Sequence, residues 1–321
     1  MPKDIRLLLT RVFPDDVIAR AERDYACTLN PHDRAWQGDE LIAQAEGHDG
    51  ILCSSSNKYD AAVVSALPDS IKILATFSVG YEHIDLDACR TRGITVTNTP
   101  GVLSEATADV AFMLLLCASR RAGEADRMVR GGHWTGWTPT QLLGPGMQGK
   151  RLGILGMGGI GQALAARGQV FGMEIHYHNR SRLAPERELG ATYHETPEGL
   201  LGVSDFLSLN CPMSPEMARF LNAERLALLP KGAVVVNTAR GGLVDDAALV
   251  AALRSGQVFA AGLDVYDGEP NLYDGYRELD NVFLAPHIGS GTIETRNAMG
   301  FKALDNLDAF FQRNPPPDRL V

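Results

Sequence analysis

The sequence has little that would place a protein in a membrane or on nucleic acid. Its longest uninterrupted apolar run, 111–118, is far shorter than the roughly 20 residues that cross a bilayer. The 30 Lys and Arg are outnumbered by 39 Asp and Glu, giving a formal net charge of −9, so a basic face for nucleic acid or anionic lipid is not expected. The N-terminus also lacks the apolar segment of a signal peptide. We therefore expect a cytoplasmic protein that binds neither nucleic acid nor membranes.

Cysteine is scarce as well. The five cysteines are dispersed and form neither a C-x-x-C pair nor another metal-binding spacing: Cys27, Cys53, Cys89, Cys117 and Cys211. An odd number of scattered thiols is typical of a reducing compartment. The pattern therefore predicts neither a disulfide framework nor a metal site.

Short apolar runs alternate with helical patterns along most of the chain, which indicates parallel sheets covered by helices. At 321 residues the chain is long enough for two domains. In the first hundred residues the predicted strands are Ile5–Leu9, Gly50–Cys53, Ile73–Phe77 and Ile94–Val96. A long apolar helix, Leu103–Arg121, and an irregular segment, 131–149, follow.

A second alternation begins at Arg151. Six strands are predicted there, near Leu152, Ile175, Phe206, Val234, Phe259 and Val282. Six strands with interleaved helices match a Rossmann sheet. The last helix, Thr292–Arg313, follows the complete dinucleotide fold and is expected to return to the first domain.

The predicted fold class is therefore α/β, with two doubly wound parallel-sheet domains. A Rossmann dinucleotide-binding domain, 100–287, is inserted in a flavodoxin-like substrate domain, 1–99 plus 288–321. A dimerisation arm is predicted at about 120–149.

A glycine-rich turn gives the clearest functional signal. The apolar run Arg151–Leu155 enters a G-x-G-x-x-G pattern, Gly156-Met157-Gly158-Gly159-Ile160-Gly161, and a helical pattern follows it. The first glycine allows a tight turn, the second lets backbone N–H groups reach a pyrophosphate, and the third lets the helix pack on the strand. The turn predicts a dinucleotide site.

The segment about 20 residues after the glycine-rich turn indicates which dinucleotide binds. A site that prefers NAD has Asp or Glu there to accept hydrogen bonds from the ribose hydroxyls. This chain has Asn179-Arg180-Ser181-Arg182, with no acid in the segment. Two guanidinium groups and a hydroxyl are suited to a 2′-phosphate. The expected cofactor is NADP(H), with NAD(H) as the possible alternative.

Three candidate catalytic residues follow predicted strands of the second domain. Arg240, Glu269 and His287 stand beyond three strands whose carboxyl ends share one edge of a parallel sheet. Reduction of a ketone needs a proton donor near neutral pH, which suits His287. Glu269 would fix the imidazole tautomer, and Arg240 would polarise the carbonyl and grip a carboxylate.

Over nearly its whole length the sequence resembles the D-isomer-specific 2-hydroxyacid dehydrogenases. The segments that carry the resemblance are Phe77–Asp85, Gly156–Gly161, Leu209–Pro212, Asn237–Gly241, Gly262–Val265, Asp267–Pro270 and Pro286–Ser290. The resemblance implies that Arg240, Glu269 and His287 are the catalytic set and that the backbone at Val79 and Gly80 holds the substrate carboxylate. It also implies that Asp264, Gly289, Cys211, Pro212 and Thr238 contact the cofactor.

Within that family, 131–139 is similar to the dimer arm of the glyoxylate and hydroxypyruvate reductases, in which a tryptophan reaches the neighbouring subunit's site. Trp137 matches that position better than Trp134, and a buried structural tryptophan in the dimer arm is the alternative. The resemblance implies a homodimeric reductase of glyoxylate or hydroxypyruvate. The alternatives are a nucleotide-sensing, corepressor-like binding protein on the same fold and, among enzymes, a phosphoglycerate or formate dehydrogenase.

Overall fold

The computed structural model describes residues 4–321, which form two compact units. The first unit ends at Leu103 and resumes at Gly291–Val321, and the second unit is Ser104–Ser290. The borders expected from the sequence were 99/100 and 287/288. Among the described residues, no helix combines the length and apolarity needed to cross a membrane.

Residues 4–321 contain twelve strands and eleven α-helices. The strands are β1 (Arg6–Leu9), β2 (Ala26–Thr28), β3 (Gly50–Cys53), β4 (Ile73–Thr76), β5 (Thr95–Thr97), β6 (Arg151–Leu155), β7 (Glu174–His178), β8 (Thr192–Tyr193), β9 (Phe206–Leu209), β10 (Ala233–Asn237), β11 (Val258–Leu263) and β12 (Val282–Leu284). The helices are α1 (Asp15–Asp24), α2 (Gly38–Ala45), α3 (Ala61–Ala66), α4 (Leu86–Arg92), α5 (Ser104–Ser119), α6 (Ala122–Arg130), α7 (Gly159–Val170), α8 (Pro197–Leu201), α9 (Ala223–Leu228), α10 (Asp246–Ser255) and α11 (Ile293–Phe311).

The first unit contains a five-stranded parallel sheet of order β2-β1-β3-β4-β5. This is the flavodoxin-like order. Its central strands β3 and β4 are buried along their whole length, as strands covered by helices on both faces must be. Strand β2 is absent from the sequence-based prediction because this three-residue edge strand is partly exposed and has no apolar run.

The second unit contains a seven-stranded parallel sheet of order β12-β11-β10-β9-β6-β7-β8. With β6 taken as the first strand, this is the Rossmann order with one strand added at the β12 edge. The predicted fold class, two doubly wound α/β domains, is confirmed. The sequence-based prediction of six strands missed β8, which has only two residues.

The long helix predicted for Leu103–Arg121 is two helices in the structure. Helix α5 ends at Ser119, and Arg121 has a φ of 53°, which breaks the helix before α6 begins at Ala122. The Arg121 side chain then pairs with Glu124 in the first turn of α6, at 2.8 Å. Residues 131–140 form no regular element, and all of them are exposed.

Candidate active site

The glycine-rich turn lies at the carboxyl end of β6 and packs tightly on its neighbours. Gly156 has a φ of 96°, and a Cβ atom there would lie 2.6 Å from the backbone nitrogen of Cys211. A Cβ atom on Gly161 would lie 2.4 Å from the Gly156 carbonyl oxygen. Gly158 differs, since a Cβ atom there would meet nothing within 4 Å. The protein's own packing therefore requires the first and third glycines, whereas the second leaves open space.

This open space fits a dinucleotide phosphate. Helix α7 begins at Gly159 and continues through Ile160, and its N-cap residue Gly158 supplies no capping side chain. Uncapped N–H groups at a helix start bind anions. At the ends of neighbouring strands, the buried oxygens Thr238 Oγ1 and Asn210 Oδ1 have no hydrogen-bond partner among the described residues. Buried polar atoms normally have partners, which a bound dinucleotide could supply.

Cys211 and Pro212 follow β9 beside this turn. Burial raises the pKa of Cys211 to about 11, so its thiol stays neutral near pH 7. A neutral, largely buried thiol is an apolar contact surface rather than a nucleophile. Within residues 4–321, no group of three or more His, Cys, Asp or Glu side chains is arranged to hold a metal ion.

Asn179 follows β7 and contacts the glycine-rich turn directly. Its Oδ1 atom accepts a hydrogen bond from the Met157 backbone N–H at 2.7 Å. The Tyr193 hydroxyl on β8 donates to the Asn179 carbonyl oxygen at 3.3 Å. Asn179 is thus held from both sides, and its side chain organises the turn that precedes α7.

The arginines next to Asn179 differ in their partners. Arg180 and Ser181 are exposed. Arg182 forms a two-pronged ion pair with Glu188, with Nε to Oε1 at 2.7 Å and Nη2 to Oε2 at 3.1 Å. The Tyr177 hydroxyl also donates to Glu188, at 2.7 Å. The hydrogen bonds from Arg182 and Tyr177 hold the pKa of Glu188 below its ordinary value, so its carboxylate is charged.

The segment 179–182 itself holds no acid, but Glu188 reaches Arg182 from outside it. Glu188 is six residues from Arg182, after a short 3₁₀ turn at Pro185–Arg187 that brings the chain back. Glu188 neutralises the charge of Arg182, and both Arg180 and Arg182 are exposed. A proline-containing turn between an arginine and a glutamate was the signal in the sequence that could have indicated the pair.

The three candidate catalytic residues follow β10, β11 and β12, which are neighbouring parallel strands. Their last residues are in register, since Asn237 pairs with Leu263 and Leu263 with Leu284. A Cβ atom on Gly241 would lie 1.8 Å from the Tyr266 carbonyl carbon. The loops after β10 and β11 therefore approach each other as closely as their backbones allow.

His287 and Glu269 form a hydrogen-bonded pair. The distance from His287 Nδ1 to Glu269 Oε2 is 2.7 Å, and the other carboxylate oxygen of Glu269 accepts from the Tyr266 N–H at 2.9 Å. Burial raises the pKa of Glu269. This effect is outweighed by the hydrogen bond with His287, the charge of His287, the hydrogen bond from the Tyr266 N–H and the charge of Arg240. They leave the pKa of Glu269 below its ordinary value. Glu269 is therefore an anion that faces the imidazole.

The backbone around His287 is held by Asp264. His287 has a φ of 55°, a left-handed conformation that costs a residue with a Cβ atom about 1–3 kcal/mol. Asp264 accepts hydrogen bonds from the next two N–H groups, of Ile288 at 2.7 Å and Gly289 at 2.8 Å. Burial raises the pKa of Asp264, although these N–H groups and His287 oppose the shift.

Arg240 lies in a turn fixed by Asn237. The buried Asn237 side chain donates to the Arg240 carbonyl oxygen at 2.8 Å and accepts from the Ala239 N–H at 3.0 Å. The Arg240 side chain donates from Nη1 to the Ala239 carbonyl oxygen at 2.7 Å. Because the charge of Arg240 lowers the pKa of Glu269, the guanidinium lies within electrostatic range of the pair.

Three predicted substrate contacts, Val79, Gly80 and Trp137, belong to other segments of the chain. Val79 and Gly80 form a partly buried turn after β4 in the first unit. Trp137 lies in the irregular segment of the second unit, 79% exposed, and Trp134 is 55% exposed.

Comparison with known proteins agrees with these features. Residues 112–289 match the family model of the D-isomer specific 2-hydroxyacid dehydrogenase, NAD binding domain. The chain is 44% identical over 308 residues to the glycerate dehydrogenase of Hyphomicrobium methylovorum, covering 95% of this chain and 96% of that protein. It is 42% identical over 318 residues to the glyoxylate reductase of Thermococcus litoralis, covering 98% and 96% of the two chains.

Solved structures give the same result. The crystal structure of an NADPH-dependent glyoxylate/hydroxypyruvate reductase from Sinorhizobium meliloti, in complex with NADP and malonate, superposes with a TM-score of 0.88 at 35% identity, covering 99% of this chain and 97% of that chain. A glyoxylate reductase from Paecilomyes thermophila gives a TM-score of 0.89 at 36% identity, covering 100% and 99% of the two chains. The chain belongs to the D-isomer-specific 2-hydroxyacid dehydrogenase family and is an oxidoreductase of 2-oxo and 2-hydroxy acids with a Rossmann domain that binds a nicotinamide dinucleotide.

Proposed function

We propose that this enzyme reduces glyoxylate or hydroxypyruvate to the D-2-hydroxy acid with NADPH, and that His287 is the proton donor. The observation that carries the proposal is the His287–Glu269 pair at 2.7 Å, within the electrostatic range of Arg240. Relatives named glyoxylate reductase and glyoxylate/hydroxypyruvate reductase support this substrate class. The first unit would be the substrate domain and the second the dinucleotide-binding domain.

The cofactor and the protein would supply different parts of the reaction. A bound NADPH supplies hydride to the carbonyl carbon of the substrate. His287 donates a proton to the carbonyl oxygen as negative charge grows there. Glu269, charged and bound to Nδ1, leaves Nε2 of the ring to act on substrate and stabilises the imidazolium. Arg240 polarises the carbonyl and binds the carboxylate, which the N–H groups of Val79 and Gly80 also hold.

The preference for NADPH is supported by the segment after β7. The exposed Arg180 and Ser181 offer a guanidinium and a hydroxyl to a 2′-phosphate, and Asn179 replaces the acid expected of an NAD site. Arg182, paired with Glu188, adds donors but no net charge.

His287→Ala is expected to lower kcat for glyoxylate reduction by about two to four decades, the usual contribution of general acid catalysis. The Kd for NADPH should stay unchanged, because the ring acts on the substrate oxygen. Stopped-flow reduction and fluorescence titration with NADPH measure the two quantities. Near-normal turnover would assign the proton to another residue, and a wild-type enzyme that reduces no 2-oxo acid would favour the corepressor-like alternative.

Glu269→Gln keeps the shape of the side chain and removes its charge. The lowered pKa of Glu269 favours its ionised form, so the parent enzyme places an anion against the imidazole. In the variant the ring faces a neutral amide instead of an anion, so the alkaline limb of the kcat/KM profile should move toward acid. An unmoved limb would show that Glu269 does not act through His287.

Arg180→Asp is expected to shift the preference from NADPH toward NADH. Loss of a charge-assisted phosphate contact should weaken NADPH binding by about 1.5–3 kcal/mol, or about one to two decades. Steady-state kinetics with both cofactors measure the ratio of kcat/KM for NADPH to kcat/KM for NADH. The control variant is Arg254→Asp, which makes the same charge change on an exposed arginine of α10. Equal wild-type efficiencies with NADPH and NADH would contradict the proposal.

Gly158→Ala separates cofactor binding from folding. Its Cβ atom meets no protein atom within 4 Å, so the variant should unfold at the wild-type temperature yet bind NADPH at least tenfold more weakly, since the space is proposed for the pyrophosphate. Gly156→Ala is the matched comparison and should lose stability as well, because its Cβ atom would meet Cys211. Calorimetry and fluorescence titration give both readouts; unchanged NADPH affinity in Gly158→Ala would place the pyrophosphate elsewhere.

A homodimer through the segment of about 120–149 is part of the proposal. Exposed large apolar side chains commonly mark protein interfaces, and Trp137 is 79% exposed on a segment without regular structure. Light scattering at micromolar concentration should give twice the chain mass of 34.7 kDa. Trp137→Ala should change the ratio of kcat/KM for hydroxypyruvate and glyoxylate while NADPH affinity stays constant. A monomeric wild-type protein would contradict this part.

A further inference from the structure

In the turn Ser78–Gly80, two successive backbone carbonyl groups accept hydrogen bonds from residues that follow β5. The Ser78 carbonyl oxygen accepts a hydrogen bond from the Thr99 N–H at 2.9 Å. The Val79 carbonyl oxygen accepts one from Asn98 Nδ2 at 2.8 Å. Asn98 and Thr99 follow β5, the strand next to β4, and both are buried.

These two hydrogen bonds fix the directions of two N–H groups. In a trans peptide the C=O and the N–H of the same unit point in opposite directions. Because the carbonyls of Ser78 and Val79 face the end of β5, the N–H groups of Val79 and Gly80 face away from it, on the same side. Among residues 4–321, neither N–H donates to another protein group. Two such donors can bind one anion.

Ser78 ties the third carbonyl of the turn. Its Oγ atom donates to the Gly80 carbonyl oxygen at 2.6 Å and lies 2.9 Å from Thr76 Oγ1. A hydroxyl has one proton, so Ser78 must accept from Thr76, and Thr76 in turn must accept from His83 Nε2 at 3.0 Å. The chain of donors therefore runs from His83 through Thr76 and Ser78 to the turn.

Asn98 is itself anchored in the first unit. Its backbone N–H donates to the Asp318 carbonyl oxygen at 3.3 Å. The fully buried Asn306 on α11 accepts from the Asp318 N–H at 2.9 Å and donates to the Asp318 carboxylate at 3.0 Å. The side-chain amide that holds the turn is thus attached to the last residues of the chain and to α11.

We infer that Asn98 and Ser78 are positioning residues for the carboxylate of the 2-oxo acid. They touch no substrate atom, and they act by fixing the Val79 and Gly80 N–H groups in the direction that binds the carboxylate. The inference depends on the proposed function, in which these two N–H groups hold that carboxylate. It assigns to both side chains an effect on substrate binding that is separate from the proton transfer at His287 and from cofactor binding.

The test uses Asn98→Ala, Ser78→Ala and Ser78→Thr in the full-length enzyme. Both alanine variants should raise KM for glyoxylate about tenfold, equivalent to about 1.4 kcal/mol, and should raise the inhibition constant of oxamate by the same factor. The kcat should stay within about threefold and the Kd for NADPH should not change. Ser78→Thr keeps the hydroxyl and should restore KM. Ser65→Ala, on the exposed face of α3, is the control.

The outcomes separate this inference from the proposed function. If the wild-type enzyme turns over no 2-oxo acid, the proposed function fails, and oxamate binding to the wild-type enzyme with NADP⁺, measured by calorimetry, still tests the turn. Variants that fold like wild type with unchanged KM and unchanged oxamate affinity would overturn the inference, as would a loss of kcat alone or a wild-type enzyme that binds no oxamate. If Asn98→Ala does not fold, the Ser78→Ala and Ser78→Thr pair decides.

Discussion

The candidate active site depends on the close backbone approach between the loops after β10 and β11. At Gly241 there is no room for even one side-chain carbon, because the Tyr266 carbonyl carbon would lie 1.8 Å from it. This contact brings the turn that carries Arg240 against the loop that carries Glu269. The Tyr266 hydroxyl also donates to the Ala285 carbonyl oxygen at 2.8 Å, which ties the end of β12 to the same loop. Three separate strand ends are thereby held as one site.

The strain at His287 is compensated by its neighbours. A histidine with a φ of 55° persists only if other contacts hold the backbone there. Asp264 accepts hydrogen bonds from the next two N–H groups, and Glu269 fixes the imidazole through Nδ1. The sequence-based interpretation gave Asp264 a role at the cofactor. In the structure both its oxygens are acceptors for the loop, so its first effect is on the position of His287.

The sequence was sufficient to predict elements that bury continuous apolar runs and turns that need glycine. Strands such as β3 and β10 are buried along their whole length because both faces are covered, and the ends of β10, β11 and β12 indicated where Arg240, Glu269 and His287 lie. Strands β2 and β8 were missed because two or three residues at a sheet edge leave no periodic signal. The break at Arg121 was missed because its left-handed backbone conformation is unusual for arginine, and no glycine or asparagine at that position indicates it.

Contacts between distant positions explain the rest of what the sequence did not reveal. The turn at Val79 and Gly80 was expected from resemblance, but its orientation is set by Asn98, about 20 residues later, and by a hydroxyl chain that ends at His83. Hydrogen bonds of this kind depend on which strands are neighbours in the sheet, so they become visible only when the sheet order is known. The pairing of Arg182 with Glu188 is similar, since it requires the chain to turn back after Pro185.

The arrangement also explains how an acidic chain can bind anions. With a net charge of −9, the protein as a whole repels a 2-oxo carboxylate or a phosphate, but salt screens this repulsion beyond about 8 Å at physiological ionic strength. Binding is therefore decided by short-range donors. In the second unit the proposed donors are guanidinium groups, of which Arg182 is neutralised by Glu188 and Arg180 is exposed. In the first unit the proposed donors are the backbone N–H groups of Val79 and Gly80, which carry no net charge and would bind only through their fixed direction. Specificity for a carboxylate can then arise from the orientation of a peptide unit.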